Sequence, residues 1–193
     1  MTSRSHSLLN ALDAHRVEVT ARLDALPESI VHAVPSPGAW SLAQLAEHIL
    51  RIDGGLQIDA SPAPLWVRAT SPVRSRLLCR FLSLPIRIPA PPSAAGVMPS
   101  AEPRWADVRQ RWAVMRARWR SALERPEVVA YRHPILGPFL LEDALAFLLA
   151  HHRHHDAQIR RTLTALGQHP DGSPIDGTER DLPRTTDALN VVA

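Results

Sequence analysis

The chain has 193 residues, of which 45% are hydrophobic, 21% charged and 5% aromatic. That is the composition of one soluble globular domain, not of a disordered, fibrous or membrane-embedded chain. All 22 basic residues are arginine and the net charge is +3; the single cysteine, Cys79, excludes an internal disulfide, a cysteine-based zinc ribbon and an iron–sulfur cluster.

At this length a compact fold buries roughly 70% of the surface its unfolded chain exposes, so a metal is not needed merely to hold it together. The opening stretch, residues 1–15, lacks the apolar run of a signal peptide. No stretch approaches the roughly 20 apolar residues that span a bilayer. Together with the lone cysteine, these features suit a reducing cytoplasm.

The first periodic segment, Ser5 to Leu26, carries Leu8, Leu9, Leu12, Val19, Leu23 and Leu26 at three- and four-residue steps and reads as an amphipathic helix. After a loop with Pro35, Pro37 and Gly38, Ser41 and Gln44 form a capping-box pattern that starts a second helix. Its stripe is Leu42, Leu45, Ile49, Ile52 and Leu56, and His48 lies on or beside that buried side.

Eight prolines between Ser61 and Pro99 predict a crossover of short elements, with only Val73 to Leu84 helical. A third main helix enters through Glu102-Pro103 and carries Trp105, Val108, Trp112, Met115, Trp119 and Ala122, a bundle-type seam expected to pack in the core. Val128 to Phe139 reads as irregular or extended. The last helix, Leu141 to Leu166, is closed by Gly167 in a left-handed cap. The expected fold is therefore all-α: a four-helix bundle over residues 1–167, with a long proline-rich crossover between the second and third main helices. Residues 168–193 are expected to form a polar, loosely held tail.

The run His151-His152-Arg153-His154-His155 is the densest chemical signal. Residues four apart on a helix share a side, with Cβ atoms about 6 Å apart, and two imidazoles there can reach one ion at about 2.0–2.1 Å. Only His151 and His155 have that spacing, within the inward stripe Ala144, Leu148, His151, His155, Ile159 and Thr162. The pair is either a metal site or two ordinary histidines, and His48 is the natural third ligand because it too faces the core. His152 reads as packing at the flank of the seam.

Three stretches resemble the DinB-like superfamily, in particular the branch that includes bacillithiol S-transferases and the metal-dependent half of mycothiol-dependent enzymes. Residues 40–49 resemble its Trp-Ser opening of the second helix with a ligand histidine; residues 133–138 resemble its His-Pro-x-x-Gly approach to the last helix; residues 147–159 resemble its His-x-x-x-His followed by Gln-Ile. The resemblance implies a four-helix bundle in which His48, His151 and His155 hold a divalent transition metal; imidazole ligation favours zinc or nickel without excluding iron or manganese. Three neutral ligands leave coordination positions open, as catalytic sites require. The activity implied is transfer of a low-molecular-weight thiol to an electrophilic small molecule. A non-catalytic metal-binding stress or regulatory protein is one alternative, and a metal-dependent hydrolase or isomerase on the same bundle is another.

Arg68 and Arg74 of the crossover could pair with carboxylates of a thiol or substrate, and Gln158, three residues after His155, could face the site mouth. Glu47, Asp53 and Asp156 stand near the histidines in sequence and could orient an imidazole through its second nitrogen, although helix geometry points Glu47 away from its neighbour His48. Cys79 lies in an apolar context that makes a thiol inert. Between Ser61 and Arg120 there are eleven arginines against Glu102 and Asp107. Such a basic middle attracts phosphate, nucleic acid, anionic lipid or carboxylates. With only Trp66 and Phe81 as aromatics in the crossover, no stacking platform for nucleic acid is present. The Val73–Leu84 helix is expected to cover the bundle and not to lie on a membrane. The partner expected is a small molecule, with homodimerisation open along an exposed apolar helix face.

Overall fold

The computed structural model describes residues 3–56, 62–84, 92–122, 129–133, 135–169 and 171–173. The first helix, α1 (Ser3–Asp24), is followed by a short α2 (Glu28–His32) and by α3 (Leu42–Asp53). Next come α4 (Leu65–Leu82) and a 3₁₀ segment (Pro92–Val97), both inside the proline-rich crossover. Helix α5 (Trp105–Ala122), strands β1 (Val129–His133) and β2 (Gly137–Leu140), and α6 (Leu141–Ala165) complete the order. Among the described residues the fold is all-α apart from this one antiparallel hairpin, in which His133 pairs with Gly137 and Tyr131 with Phe139. None of the helices is long and apolar enough to cross a membrane among the described residues. Residues 174–193, most of the expected tail, lie outside the described residues.

The local signals decide where several helices begin and end. Ser41 accepts from the Gln44 backbone N–H and the Gln44 side chain accepts from the Ser41 N–H, so the capping box satisfies two otherwise orphaned donors at the start of α3. Gly167 adopts φ +73° just past α6, the left-handed conformation that non-glycine residues adopt at a cost.

Helix α4 corrects the expectation for the crossover. It starts at Leu65 instead of Val73 and runs through Pro72. An interior proline disfavours a helix by roughly 3 kcal/mol, but here tertiary bonds hold the turn around it. Ser71 Oγ donates to Asp143 Oδ2 (2.7 Å) and accepts from the Leu140 N–H (3.0 Å), while Ser75 Oγ donates to the Asp143 carbonyl (2.9 Å). Burial is the first influence on the Asp143 carboxyl and pushes its pKa up. The expected extended stretch before α6 is the β-hairpin, and the Arg74 guanidinium ties α4 to it through the carbonyls of Leu136 and Pro138.

Helices α1, α3, α5 and α6 form the bundle, and α4 packs outside them on α6. Among the described residues the core has two large apolar clusters and a small third one, Ala63 and Val67, under α4. Of the large clusters, one gathers Leu12, Ile52, Trp119, Phe139, Leu145 and Leu148; the other gathers Val19, Leu45, Ile49, Trp112, Ile159 and Leu163. At the end of α3, Gly55 meets Tyr131 of β1 so closely that a Cβ there would stand 2.8 Å from the ring. Gly55→Ala is therefore expected to lower stability by roughly 1–3 kcal/mol, the cost of overpacking against a buried aromatic. Urea unfolding beside Gly96→Ala, where a Cβ meets nothing within 4 Å, separates this clash from a general helix or loop effect.

Candidate metal centre

His48, His151 and His155 are brought together from two helices. Each is 7% exposed, and one ring nitrogen from each falls within 4.8 Å of the others. Ring centroids are 4.5 Å apart for His151 and His155, 4.8 Å for His48 and His155, and 5.3 Å for His48 and His151. Trp40 and Phe147 wall the trio, at 5.1 Å from His48 and 5.9 Å from His151.

Hydrogen bonds fix which nitrogen each ring presents. The Val97 carbonyl can only accept, so His48 Nδ1–H donates to it at 2.8 Å and leaves Nε2 unprotonated. The Gln158 side-chain oxygen likewise receives His155 Nδ1–H at 3.0 Å, leaving the His155 Nε2 lone pair. That atom lies 3.1 Å from His151 Nε2, and His151 Nδ1 is buried without a partner. Burial, then the neighbouring imidazoles, lowers the pKa of His151 well below the ordinary value and that of His155 to about 3; burial also lowers His48. All three rings are thus neutral near pH 7.

Such a donor set fits one metal ion. Two nitrogens at 2.0–2.1 Å from a tetrahedral centre stand about 3.3 Å apart, close to the spacing of the two Nε2 atoms. Neutral imidazoles are the protonation state that a ligand needs. The outer bonds to Val97 and Gln158 are the kind that orient ligand imidazoles.

The crossover supplies the Val97 carbonyl because α3 pins its end. Glu47 accepts from the Ser100 N–H (2.6 Å) and Oγ (3.1 Å), and Gln44 donates to the carbonyls of Ser100 and Ala101. Burial alone would raise the Glu47 pKa, but the bonds from Ser100 and Arg51 outweigh it and lower it. Glu47 therefore anchors the crossover and orients no imidazole.

The other predicted residues are placed as follows. Gln158 meets the trio through His155. Arg74 is committed to the hairpin carbonyls, and Arg68 is exposed on α4. Helix α4 runs along a different side of α6 from His151 and His155, reached there by His154, whose Nδ1 lies 3.0 Å from the Leu82 carbonyl. His133 accepts from the N–H groups of Ile135 and Leu136, ordering the hairpin turn. Cys79 is partly buried, and burial raises its pKa.

Beside the trio lies a buried polar layer, of which the sequence points only to Asp53, as an acid that could orient an imidazole; the imidazole is that of His152 and not one of the trio. Asp53, fully buried, accepts from Arg16 Nε (3.2 Å), Trp112 Nε1 (3.1 Å) and His152 Nε2 (2.9 Å). Burial would raise its pKa, but His152, Arg16 and Trp112 together hold its carboxyl below the usual range. Arg16 also bonds Asp13 and lies over the Trp119 ring at 4.0 Å. On the far side of His152, its Nδ1 is 3.3 Å from that of His15. Burial is the first cause that lowers His15 to about 4. His152 thus belongs to a hydrogen-bonded layer, and not to simple flank packing.

The family model of the DinB superfamily matches residues 11–159, from within α1 through most of α6. The chain belongs to that superfamily. No curated protein and no solved structure matches it.

Two outcomes follow from this geometry. Asp53→Asn removes the charge that Arg16 faces in the core and is expected to cost roughly 3–5 kcal/mol in urea unfolding. The depressed histidines make stability pH-dependent: a folded pKa below 6.5 means that the unfolded chain takes up protons first. Their contribution is complete above about 6.5 and is lost as pH falls toward the folded values, about 4 for His15. Thermal melts of metal-free protein should show a lower Tm at about pH 5 than at about pH 7.5.

Proposed function

We propose that this member of the DinB superfamily is a metal-dependent transferase: His48, His151 and His155 hold a divalent transition metal ion, zinc or nickel first, which activates a low-molecular-weight thiol for attack on an electrophilic small molecule. The observation that carries this reading is the convergence of three buried, neutral imidazoles from α3 and α6. The thiol transferase activity is drawn from the resemblance to bacillithiol S-transferases. His48, His151 and His155 would hold the ion as neutral ligands, so it would keep its full charge and supply the Lewis acidity that lowers the pKa of a thiol.

The protein's own groups do the rest. Burial keeps the imidazoles unprotonated, and Val97 and Gln158 turn His48 and His155 so that each offers Nε2. Trp40 and Phe147 line the trio with aromatic surface, which suits an apolar electrophile and limits water. The substrate contributes the nucleophile, so none of the three histidines has to act as one. The reaction belongs in the reducing cytoplasm that a single-cysteine chain suits.

Elemental analysis of protein purified without a histidine tag tests the site. It should find about one equivalent of a transition metal, lost in His48→Ala and His151→Ala. Gln158→Ala should retain the ion with roughly 10–100-fold weaker affinity, because His155 loses the acceptor that orients it. The loaded protein should then accelerate thioether formation by a cysteine-derived thiol from a panel of electrophiles. Metal without turnover across the panel would leave a metal-binding regulatory protein or a metal-dependent hydrolase or isomerase, and no metal after reconstitution with zinc or nickel would end all three readings.

A further inference from the structure

Helix α4 turns outward the side that a helix on a bundle ordinarily buries. Trp66, Val73, Leu77, Phe81 and, just beyond the helix end, Leu84 recur at steps of seven, four, four and three and form one ridge along its outer side. Their exposures run from 44% to 62%. The inward side carries Val67, Ser71, Ser75 and Leu82. With Leu65, six of the eleven large hydrophobic side chains exposed among the described residues lie on this helix or at its end, which is concentration and not scatter. Ile135, 65% exposed at the hairpin tip, extends the patch, because Arg74 holds the hairpin against α4.

Within α4 and its end the charge is of one sign, the nearest carboxylates, Asp143 and Glu142, lying on the α6 side. From Leu65 to Leu84 the chain has Arg68, Arg74, Arg76 and Arg80 and no acidic residue. Arg76 and Arg80 are exposed along one flank of the ridge. At the end of α4 a cleft of about 790 Å³ opens against α6, walled by Leu82, Leu84 and Leu149 and bordered by Arg153 and Arg161. A second copy docked through this helix would set the exposed Arg76 and Arg80 of one copy against those of the other. A bilayer with anionic headgroups complements both features. The ridge can enter the boundary between headgroups and acyl chains, while the guanidinium groups reach phosphate oxygens.

We propose that α4 docks the protein peripherally on a membrane surface carrying anionic phospholipid, through the Trp66–Leu84 ridge and the arginines beside it. The expectation that this helix covers the bundle holds for its inner side only. The helix lies flat on α6, and its 18 residues make a contact about 27 Å long.

Sedimentation of the full chain with vesicles tests this, using phosphatidylcholine alone and phosphatidylcholine mixed with phosphatidylglycerol. Binding is expected to the anionic vesicles, to weaken with salt, and to be slight on phosphatidylcholine alone. Leu77→Glu and the double variant Arg76→Gln/Arg80→Gln alter exposed side chains, so both should fold, as circular dichroism would verify; each should reduce partitioning roughly tenfold or more. No sedimentation with anionic vesicles at low salt, or binding unchanged in both variants, would overturn the proposal. A dimer in sedimentation equilibrium that Leu77→Glu converts to monomer would overturn it too, by assigning the ridge to contact between copies.

Discussion

One carboxylate at the centre of the bundle sets where everything else can lie. Asp53 ends α3, has no exposure, and receives hydrogen bonds from α1, α5 and α6 through Arg16, Trp112 and His152. A buried charge costs several kcal/mol unless its partners are placed well, so few relative rotations of four helices satisfy it. His152 is the contact on α6, and its neighbours in sequence follow from that choice. With His152 turned to Asp53, residues 151 and 155 face the side of α3 that carries His48. The layer also lies between the two large apolar clusters, since Arg16 falls between Leu12 and Val19, and Trp112 between Val108 and Trp119. Polar specificity is thus concentrated at one level of the bundle, with apolar packing above and below.

The histidine trio is adjacent to this layer along α6, where His152 lies between His151 and His155 in sequence, but is governed by different electrostatics. Around Asp53, opposite charge and donors offset burial and hold the carboxyl ionised. Around the trio no carboxylate intervenes among the bonds to the three rings, and burial dominates, so the imidazoles stay neutral. Two of the rings have their outer nitrogens satisfied by a backbone carbonyl and an amide oxygen, while His151 Nδ1 has no partner. An orphaned buried polar atom costs roughly 1–3 kcal/mol, and the polar layer carries the same cost at His15 Nε2 and one Arg16 nitrogen. In the trio the satisfied bonds are those that aim two lone pairs inward.

Much of this was legible in the sequence wherever the determining interaction is local. The capping box at Ser41 and Gln44 spans three positions, the His151–His155 pair spans four, and Gly167 needs only its own backbone angles. The placement of His48 on the buried side of α3 followed from the same periodicity. Beyond Asp53 as an acid that could orient an imidazole, the polar layer was not legible because its contacts join residues 37, 59 and 99 positions apart, and nothing in the flanking pattern distinguishes Asp53 from a surface aspartate. His152 looked like a flank position for the same reason. For Gln158 the sequence leaves the site mouth and a neighbouring helix both open; its oxygen accepts from the ring one turn away, a pairing that the three-residue spacing permits but does not require.

Helix α4 shows how a local rule and a tertiary bond compete. Proline density argues against a helix before Val73, and the argument fails because Ser71 and Ser75 find partners at the start of α6, beside Asp143. Those small polar residues also decide which way the helix turns. A helix docked by its leucines would bury Leu77 and Phe81 and present serine to water. This one is docked by serines, Val67 and Leu82, so its larger apolar residues face outward. Holding them there forgoes the free energy that their burial would contribute, roughly 1.5–3 kcal/mol for each large side chain fully buried. The same contacts that rescue a proline-interrupted helix therefore determine that its apolar ridge is left to meet something other than the bundle.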